Sequence, residues 1–337
     1  MKLNAIVFIC NAGKDDGLGH LMRCLVLADA IIKINKNTIY FLSSDPDNIV
    51  ENKVSSSGFN FIKLANSMDY KDEDNFISKH RNSISWVVID SKNISTDFVN
   101  WCSRYSKVLH FDDNKYRSFN SNLIVNNHLG VKHSDYEKNK VSKFLIGPEF
   151  NTVDDSFFNL NSYISSNQHI LITLGGEDPD DITSILIKGL SEFLKNHRVV
   201  VIVGPANPNY KNIKTIISRY APHIDLVFSP SKMSDFMAGA KLAITAGGVT
   251  CYELAAAKIP QAIVILEEHQ RLLAEFIVDT QSACLIGTYK DIQLNSISKI
   301  LNTLVEDRSL LNKMSNQAAT LFSKNGSSEI VKEMNLI

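Results

Sequence analysis

Residues 244–254 read ITAGGVTCYEL. The apolar run KLAIT (241–245) ends there in a glycine pair, Gly247 and Gly248, and an amphipathic stretch over 249–257 begins at once. Strand, glycine turn, helix is the unit from which parallel sheets with crossover helices are built. Glycines let the backbone pass where a Cβ would block it. The helix that follows offers unpaired N–H groups and the positive end of its dipole to an anion. Thr250 stands where it can cap that helix. Glu253 lies one turn in, where a carboxylate can accept from two neighbouring hydroxyls; a solvated first-turn glutamate is the plainer alternative.

The same signature recurs at 171–178, LITLGGED, with the pair Gly175 and Gly176. Two glycine pairs after strands in one half of the chain tilt the reading toward nucleotide binding. Asp178 and Asp180 read as helix caps. A related loop, GKDDGLGHLMRC, occupies 13–24 and opens a helical pattern over 20–34. Gly17 and Gly19 permit a tight turn, and His20 falls at the helix start. The dipole there disfavours an imidazolium, which leaves a neutral base; packing or capping is the alternative role. A dinucleotide fingerprint wants a third glycine where Met22 stands, so NAD binding is not expected. Asp90-Ser91-Lys92, Asp112-Asp113 and Asn126-Asn127 each follow an apolar run and can reach one rim, although turn chemistry favours the same residues. His269 and Gln270 follow the run at 261–266.

Working outward, apolar runs at 4–10, 38–43, 59–64, 86–90, 108–112, 122–126 and 143–146 predict seven strands. A second series at 169–174, 198–203, 224–228, 241–245, 261–266 and 284–287 predicts six more. They are continuous rather than alternating, as in strands buried on both faces. Helical patterns lie between them, among them 95–106, 180–195, 208–219 and 294–322. The expected class is α/β, doubly wound, in two domains. The polar stretch 151–168 marks the junction, and domains are set at 1–157 and 168–337, with a final helix packing back on the first. At about 150 residues per domain, 337 residues allow two.

Hydrophobic residues make up 44% and charged residues 21%, which excludes disorder and fibrous classes. Lys and Arg total 35 against 36 Asp and Glu, a net charge of −1, so no nucleic-acid partner is expected. Cys10, Cys24, Cys102, Cys251 and Cys284 show no C-x-x-C, which points to a reducing, cytoplasmic setting without disulfides. The run 4–10 is too short to span a membrane. No spacing suits a metal.

With these stretches in place, the chain resembles the UDP-sugar hydrolases of pseudaminic acid synthesis, part of the GT-B group that includes the peptidoglycan N-acetylglucosaminyltransferase. The matching stretches are GLGHLMRCLVLADA (17–30), VVID (87–90), FDD (111–113), IVNN (124–127), TLGGEDPDD (173–181) and TAGGVTCYELAAAKIPQAIVIL (245–266), with Gln270. The resemblance implies two Rossmann-like domains facing each other across a cleft, with UDP on the second. Gly175, Gly176, Gly247, Gly248 and Thr250 would cradle the diphosphate, Glu253 the ribose, and Phe228 would neighbour the uracil. His20 would activate water, with Asp90 and Lys92 in the catalytic set. Gly17, Gly19, Arg23, Asn126, Asn127 and Gln270 would line the substrate.

The implied reaction is loss of UDP by water attack at the anomeric carbon with inversion, by a monomer needing neither cofactor nor metal. A GT-B transferase with a hydroxyl acceptor is the alternative. The chain departs from the family pattern on the sugar side. Ile9-Cys10-Asn11 stands where the family has Arg and Asp, and Asp90-Ser91-Lys92 where it has Asp-His-Tyr. After Gly147-Pro148, Asp154 and Asp155 stand in a segment that carries an Arg in the family.

Overall fold

A computed structural model describes residues 5–10, 12, 18–43, 48–64, 71–91, 94–113, 120–136, 142–160, 168–176, 178–322 and 324–336. The chain forms two compact units, Met1–Thr152 with Asn325–Ile337, and Val153–Lys324. The C-terminal segment therefore belongs to the first unit.

The first unit is built on seven parallel strands: β1 Ala5–Cys10, β2 Thr38–Ser43, β3 Asn60–Lys63, β4 Ile84–Asp90, β5 Lys107–Phe111, β6 Leu123–Asn126 and β7 Lys143–Ile146. Their order in the sheet is β3-β2-β1-β4-β5-β6-β7. Side chains of β1 alternate between two cores, as strand geometry requires. Ile6, Phe8 and Cys10 face a cluster that holds Leu21, Cys24, Leu25, Ala28 and Ile31 of α1 (Gly19–Ile34) and Ile330, Val331 and Met334 of the C-terminal segment. The spacing of the α1 set is that of one helical stripe. Ala5, Val7 and Ile9 face the opposite cluster with Ile77, Phe98 and Val99. Asn35 donates to the Leu336 carbonyl at 3.1 Å and Lys143 pairs with Glu333, which tie the C-terminal segment down.

The second unit carries β8 His169–Thr173, β9 Val199–Val203, β10 Asp225–Phe228, β11 Ala240–Ala246, β12 Gln261–Ile265 and β13 Ala283–Thr288. Their order is β10-β9-β8-β11-β12-β13, again all parallel. β8, β9 and β12 are buried along their whole length, while the edge strand β10 is not. This is why the inner strands read as unbroken apolar runs.

All thirteen apolar runs form strands, within about two residues at each end. The helix expected over 294–322 is two helices, Leu294–Glu306 and Arg308–Leu321. Asp307 breaks it, because its side chain accepts from the Leu310 N–H and caps the second helix. The pattern at 180–195 is likewise divided, into Ile182–Gly189 and Ser191–Leu194. Helices Ile49–Ser56 and Lys71–His80 were outside the sequence expectation, and Ser327–Glu333 follows the 294–322 pattern as a separate last helix. Among the described residues no helix is long and apolar enough to cross a membrane.

In each sheet the strand order reverses once, between β1 and β4 and between β8 and β11. At such a reversal the loops leaving the two strands diverge to opposite faces and open a crevice beyond the carboxyl ends.

Candidate active site

The crevice of the first sheet is lined by α1 and the end of β4. Asp90 closes β4 and is the register partner of Cys10, so its carboxylate lies at the carboxyl edge. His20 enters from the first turn of α1, and its Nδ1 lies 2.7 Å from Asp90 Oδ1. An ionised carboxylate only accepts, and Asp90 lies nearer Nδ1 than does Arg23 Nη2 at 3.2 Å, so Nδ1 carries the hydrogen and Nε2 keeps its lone pair. Three residues on, Arg23 reaches the same place. Its Nε and Nη2 donate to Asp90, and its Nη1 and Nη2 donate to Asp113 at 2.9 and 2.8 Å. The guanidinium lies over the Phe111 ring, 4.6 Å from its centre. Asp113 also meets His128 Nε2 at 3.1 Å and lies 4.0 Å from His20 Nδ1. Cys24 donates to Asp90 from the next position of α1, at 3.6 Å.

Burial works against charge on Asp90, but Arg23 and then His20 outweigh it, and the carboxyl is held below its ordinary value. Burial also opposes charge on Asp113, yet Arg23 and His128 hold it well below the carboxylate range. For Arg23 the same burial is overridden by Asp113 and Asp90, which keep the guanidinium firmly charged. Both carboxylates are thus ionised at neutral pH. His20, Asp90 and Asp113 come close enough together to suggest a cation site. The guanidinium already supplies the positive charge there and uses oxygens of both carboxylates, so a metal would have to displace it.

The crevice of the second sheet is lined by glycine loops. Gly175 is in the left-handed region at φ +93°. A Cβ at Gly175, Gly176 or Gly248 would meet nothing within 4 Å, so these positions face open space. Gly204, just after β9, is different: a Cβ there would lie 2.5 Å from the Gly176 Cα, so the two loops touch backbone to backbone. Gly247 would meet Gln270 at 3.0 Å and Ala274 at 3.3 Å, so its lack of a side chain serves packing. The helix Thr250–Ala256 begins without a side-chain cap, contrary to the capping role expected of Thr250. Glu253 on that helix is half-buried, and burial followed by Asp154 pushes its carboxyl up to about 7. Asp178 does cap: its carboxylate accepts from Ile182 and Thr183 N–H groups, both at 2.9 Å.

Residues 169–333 match the model of the glycosyltransferase family 28 C-terminal domain. The chain is 27% identical over 282 residues to the uncharacterized protein MJ1062 of Methanocaldococcus jannaschii, covering 79% of this chain and 56% of that protein. It is 23% identical over 304 residues to a Helicobacter pylori protein named pseudaminic acid cytidylyltransferase and UDP-2,4-diacetamido-2,4,6-trideoxy-beta-L-altropyranose hydrolase, covering 90% of this chain and 51% of that one. The spore coat polysaccharide biosynthesis protein SpsG of Bacillus subtilis is 22% identical over 216 residues, covering 62% of this chain and 60% of that protein. The chain thus spans between about half and three-fifths of the length of these relatives.

Among solved structures, Acinetobacter baumannii MurG superposes with a TM-score of 0.69 at 13% identity, over 99% of this chain and 100% of that one. Anabaena Alr3699/HepE in complex with UDP and glucose does so with a TM-score of 0.61 at 11% identity, over 98% of each chain. The fold is GT-B.

Within the GT-B fold the expected residues fall into three groups. His20, Arg23 and Asp90 are brought together at the first crevice, with Gly19 opening α1 beside them. Gly175, Gly176, Gly248, Thr250 and Glu253 lie on loops or first turns after β8 and β11, and Phe228 ends β10 with 45% of its surface exposed. Three residues expected to line substrate are engaged by the chain itself. Arg23 is bound to two carboxylates. Asn126 is fully buried; it donates to the Asp112 carbonyl and Tyr136 hydroxyl at 2.6 and 2.9 Å and accepts from the His128 N–H. Gln270 accepts from the Leu266 N–H at 3.0 Å and closes the turn after β12. Asn127 makes only long contacts, 3.5 Å to the Phe150 carbonyl and Thr152 hydroxyl.

Gly17 and Lys92 lie outside the described residues. His128, Phe111 and Gly204 were not foreseen. Their one signal was position, since each sits at or just after a strand's carboxyl end.

Proposed function

We propose that the chain hydrolyses a nucleotide-activated sugar, a UDP-2,4-diacetamido-2,4,6-trideoxyhexose, by attack of water on the anomeric carbon with inversion. The observation that carries this is the His20–Asp90 pair, which fixes the imidazole tautomer and leaves Nε2 as a base. His20 Nε2 takes a proton from water as the water oxygen bonds to the anomeric carbon. The bond from that carbon to the diphosphate oxygen breaks, and its electron pair leaves with UDP. Asp90 stabilises the imidazolium that forms. The glycine loops at Gly175-Gly176 and Gly247-Gly248 would take the diphosphate on backbone N–H groups, which stabilise the departing charge. Glu253 would accept from the ribose hydroxyls, and Phe228 would flank the base. The hydrolase name of the Helicobacter pylori relative supports the substrate class.

A transferase reading is favoured by a different observation, the match of 169–333 to a glycosyltransferase domain. The same donor and base would then serve a hydroxyl acceptor, since fold does not fix the acceptor. One experiment separates the two. The protein is incubated with UDP-2,4-diacetamido-2,4,6-trideoxy-β-L-altropyranose without acceptor, and the anomeric protons are followed by NMR. Release of UDP with a free sugar of inverted configuration is expected. Intact substrate in a sample that still binds UDP would turn the reading to a transferase or to another UDP-sugar. In His20→Ala, turnover is expected to fall by orders of magnitude while UDP affinity holds.

A further inference from the structure

Asp113 has no part in the proton transfer just described, yet it is tied to the cluster as closely as Asp90 is. It accepts twice from Arg23, meets His128 and lies 4.0 Å from His20 Nδ1. The charges give a reason. Arg23 alone would neutralise Asp90, because the guanidinium donates to both of its oxygens. A base that must become an imidazolium would then face a balanced ion pair. It would also sit at the start of α1, where the helix dipole disfavours positive charge. With Asp113 present, two carboxylates stand against one guanidinium. The cluster carries one net negative charge while the imidazoles are neutral, and gaining a proton on His20 brings it to zero.

We propose that Asp113 is a positioning residue for His20: by pairing with Arg23 it leaves Asp90 as the charge partner of the imidazole. The inference rests on His20 being the base. The titratable and charged groups of this cluster, among the described residues, are Asp90 at the end of β4, Arg23 and Cys24 on α1, Asp113 after β5, His128 after β6 and Cys10 at the end of β1, with buried Asp112 beside Asp113 engaged by the Tyr136 hydroxyl at 3.1 Å. Burial raises the Cys24 thiol well above its ordinary value, helped by its bond to Cys10, so it stays neutral. The balance at His20 therefore lies with the two carboxylates, Arg23 and His128.

The test is a direct titration of the His20 imidazole by heteronuclear NMR, its signal assigned by its loss in His20→Gln. In Asp113→Asn the His20 signal is expected to titrate at lower pH than in wild type, because an opposite charge 4.0 Å away is removed. The acid limb of the pH–rate profile should move down with it. The Arg23→Gln/Asp113→Asn double variant restores the net charge and should return the His20 value toward wild type. A purely structural role for Asp113 predicts no such return.

The same downward shift is expected in a His128→Gln background, which excludes a mere exchange of one proton between two imidazoles. An unchanged His20 value in Asp113→Asn, in either background, would overturn the proposal. So would a double variant as low as the single one. Should Asp113→Asn not fold, the double variant decides alone: a His20 value near wild type supports the proposal and a depressed one refutes it. His20→Ala tests the underlying reading separately. If it keeps turnover, the base assignment fails whatever the titrations show. If it abolishes turnover while Asp113→Asn leaves the titration unmoved, only the role of Asp113 fails.

Discussion

Replacing Glu253 by Gln removes a carboxyl that burial, and then Asp154, push up from 4.5 to about 7. The sign of the effect on stability follows from linkage. Below about pH 4.5 the group is protonated in folded and unfolded chains alike and has no effect. Between there and pH 7 the unfolded chain releases its proton and the folded one keeps it, so stability falls as pH rises. Above pH 7 the full cost of a buried, repelled carboxylate is present. A difference of roughly 2.5 units corresponds to about 3 kcal/mol. The side chain is only half-buried, and solvent screening brings the expectation to about 1–3 kcal/mol.

Glu253→Gln should therefore be more stable than wild type at pH 8.5, by that amount, and no more stable at pH 4. Paired urea titrations at the two pH values measure the difference. Binding should move the other way. A neutral amide accepts less strongly from hydroxyls, so calorimetry with UDP should show a loss on the order of 1–3 kcal/mol. A stability gain of the same size at both pH values would refute the titration argument. Unchanged UDP affinity would remove Glu253 from the ribose.

Gly204→Ala would drive a Cβ to 2.5 Å from Gly176 Cα, backbone against backbone. It should cost about 1–3 kcal/mol in unfolding and weaken UDP binding by displacing the Gly175-Gly176 loop; wild-type affinity with wild-type melting would refute the contact. Asp90→Asn should lower turnover by on the order of 10⁴, the magnitude seen when an orienting aspartate of a catalytic His becomes an amide. Activity within tenfold of wild type would show that Asp90 does not orient His20. Chelation with EDTA should leave the rate unchanged, because Arg23 holds the place a cation would take. Loss of rate that added Mg²⁺ or Mn²⁺ restores would show otherwise.

The strands were legible because each central one is buried on both faces, which forces a run such as Val199–Val203 to be apolar throughout. His20 and Asp90 could be placed on one rim because each follows a strand. Their meeting at 2.7 Å depended on strand order, which no local pattern carries. Arg23 was placed against substrate only through the family resemblance of GLGHLMRC. Its two carboxylate partners stand 67 and 90 residues away. Asn126 and Gln270 bond closer along the chain, to Asp112, Tyr136 and His128 and to Leu266, and the local pattern shows a strand end but not the bond made there. The break at Asp307 was readable, since an aspartate three residues before Leu310 is an ordinary cap. It was hidden by the apolar stripe running on either side.

The return of residues 325–337 to the first unit bears on how the protein is made. Ile330, Val331 and Met334 are fully buried in the core they share with α1, and residues 153–324 are synthesised in between. At about 5–20 residues per second, that interval lasts roughly ten to thirty seconds. Throughout it the first sheet lacks the side chains that cover this apolar strip, and by the time residues 325–337 are made the second unit has all its strands. Completion of the earlier-made unit thus waits on the later one, and the nascent chain offers chaperones a binding surface that the finished protein no longer has.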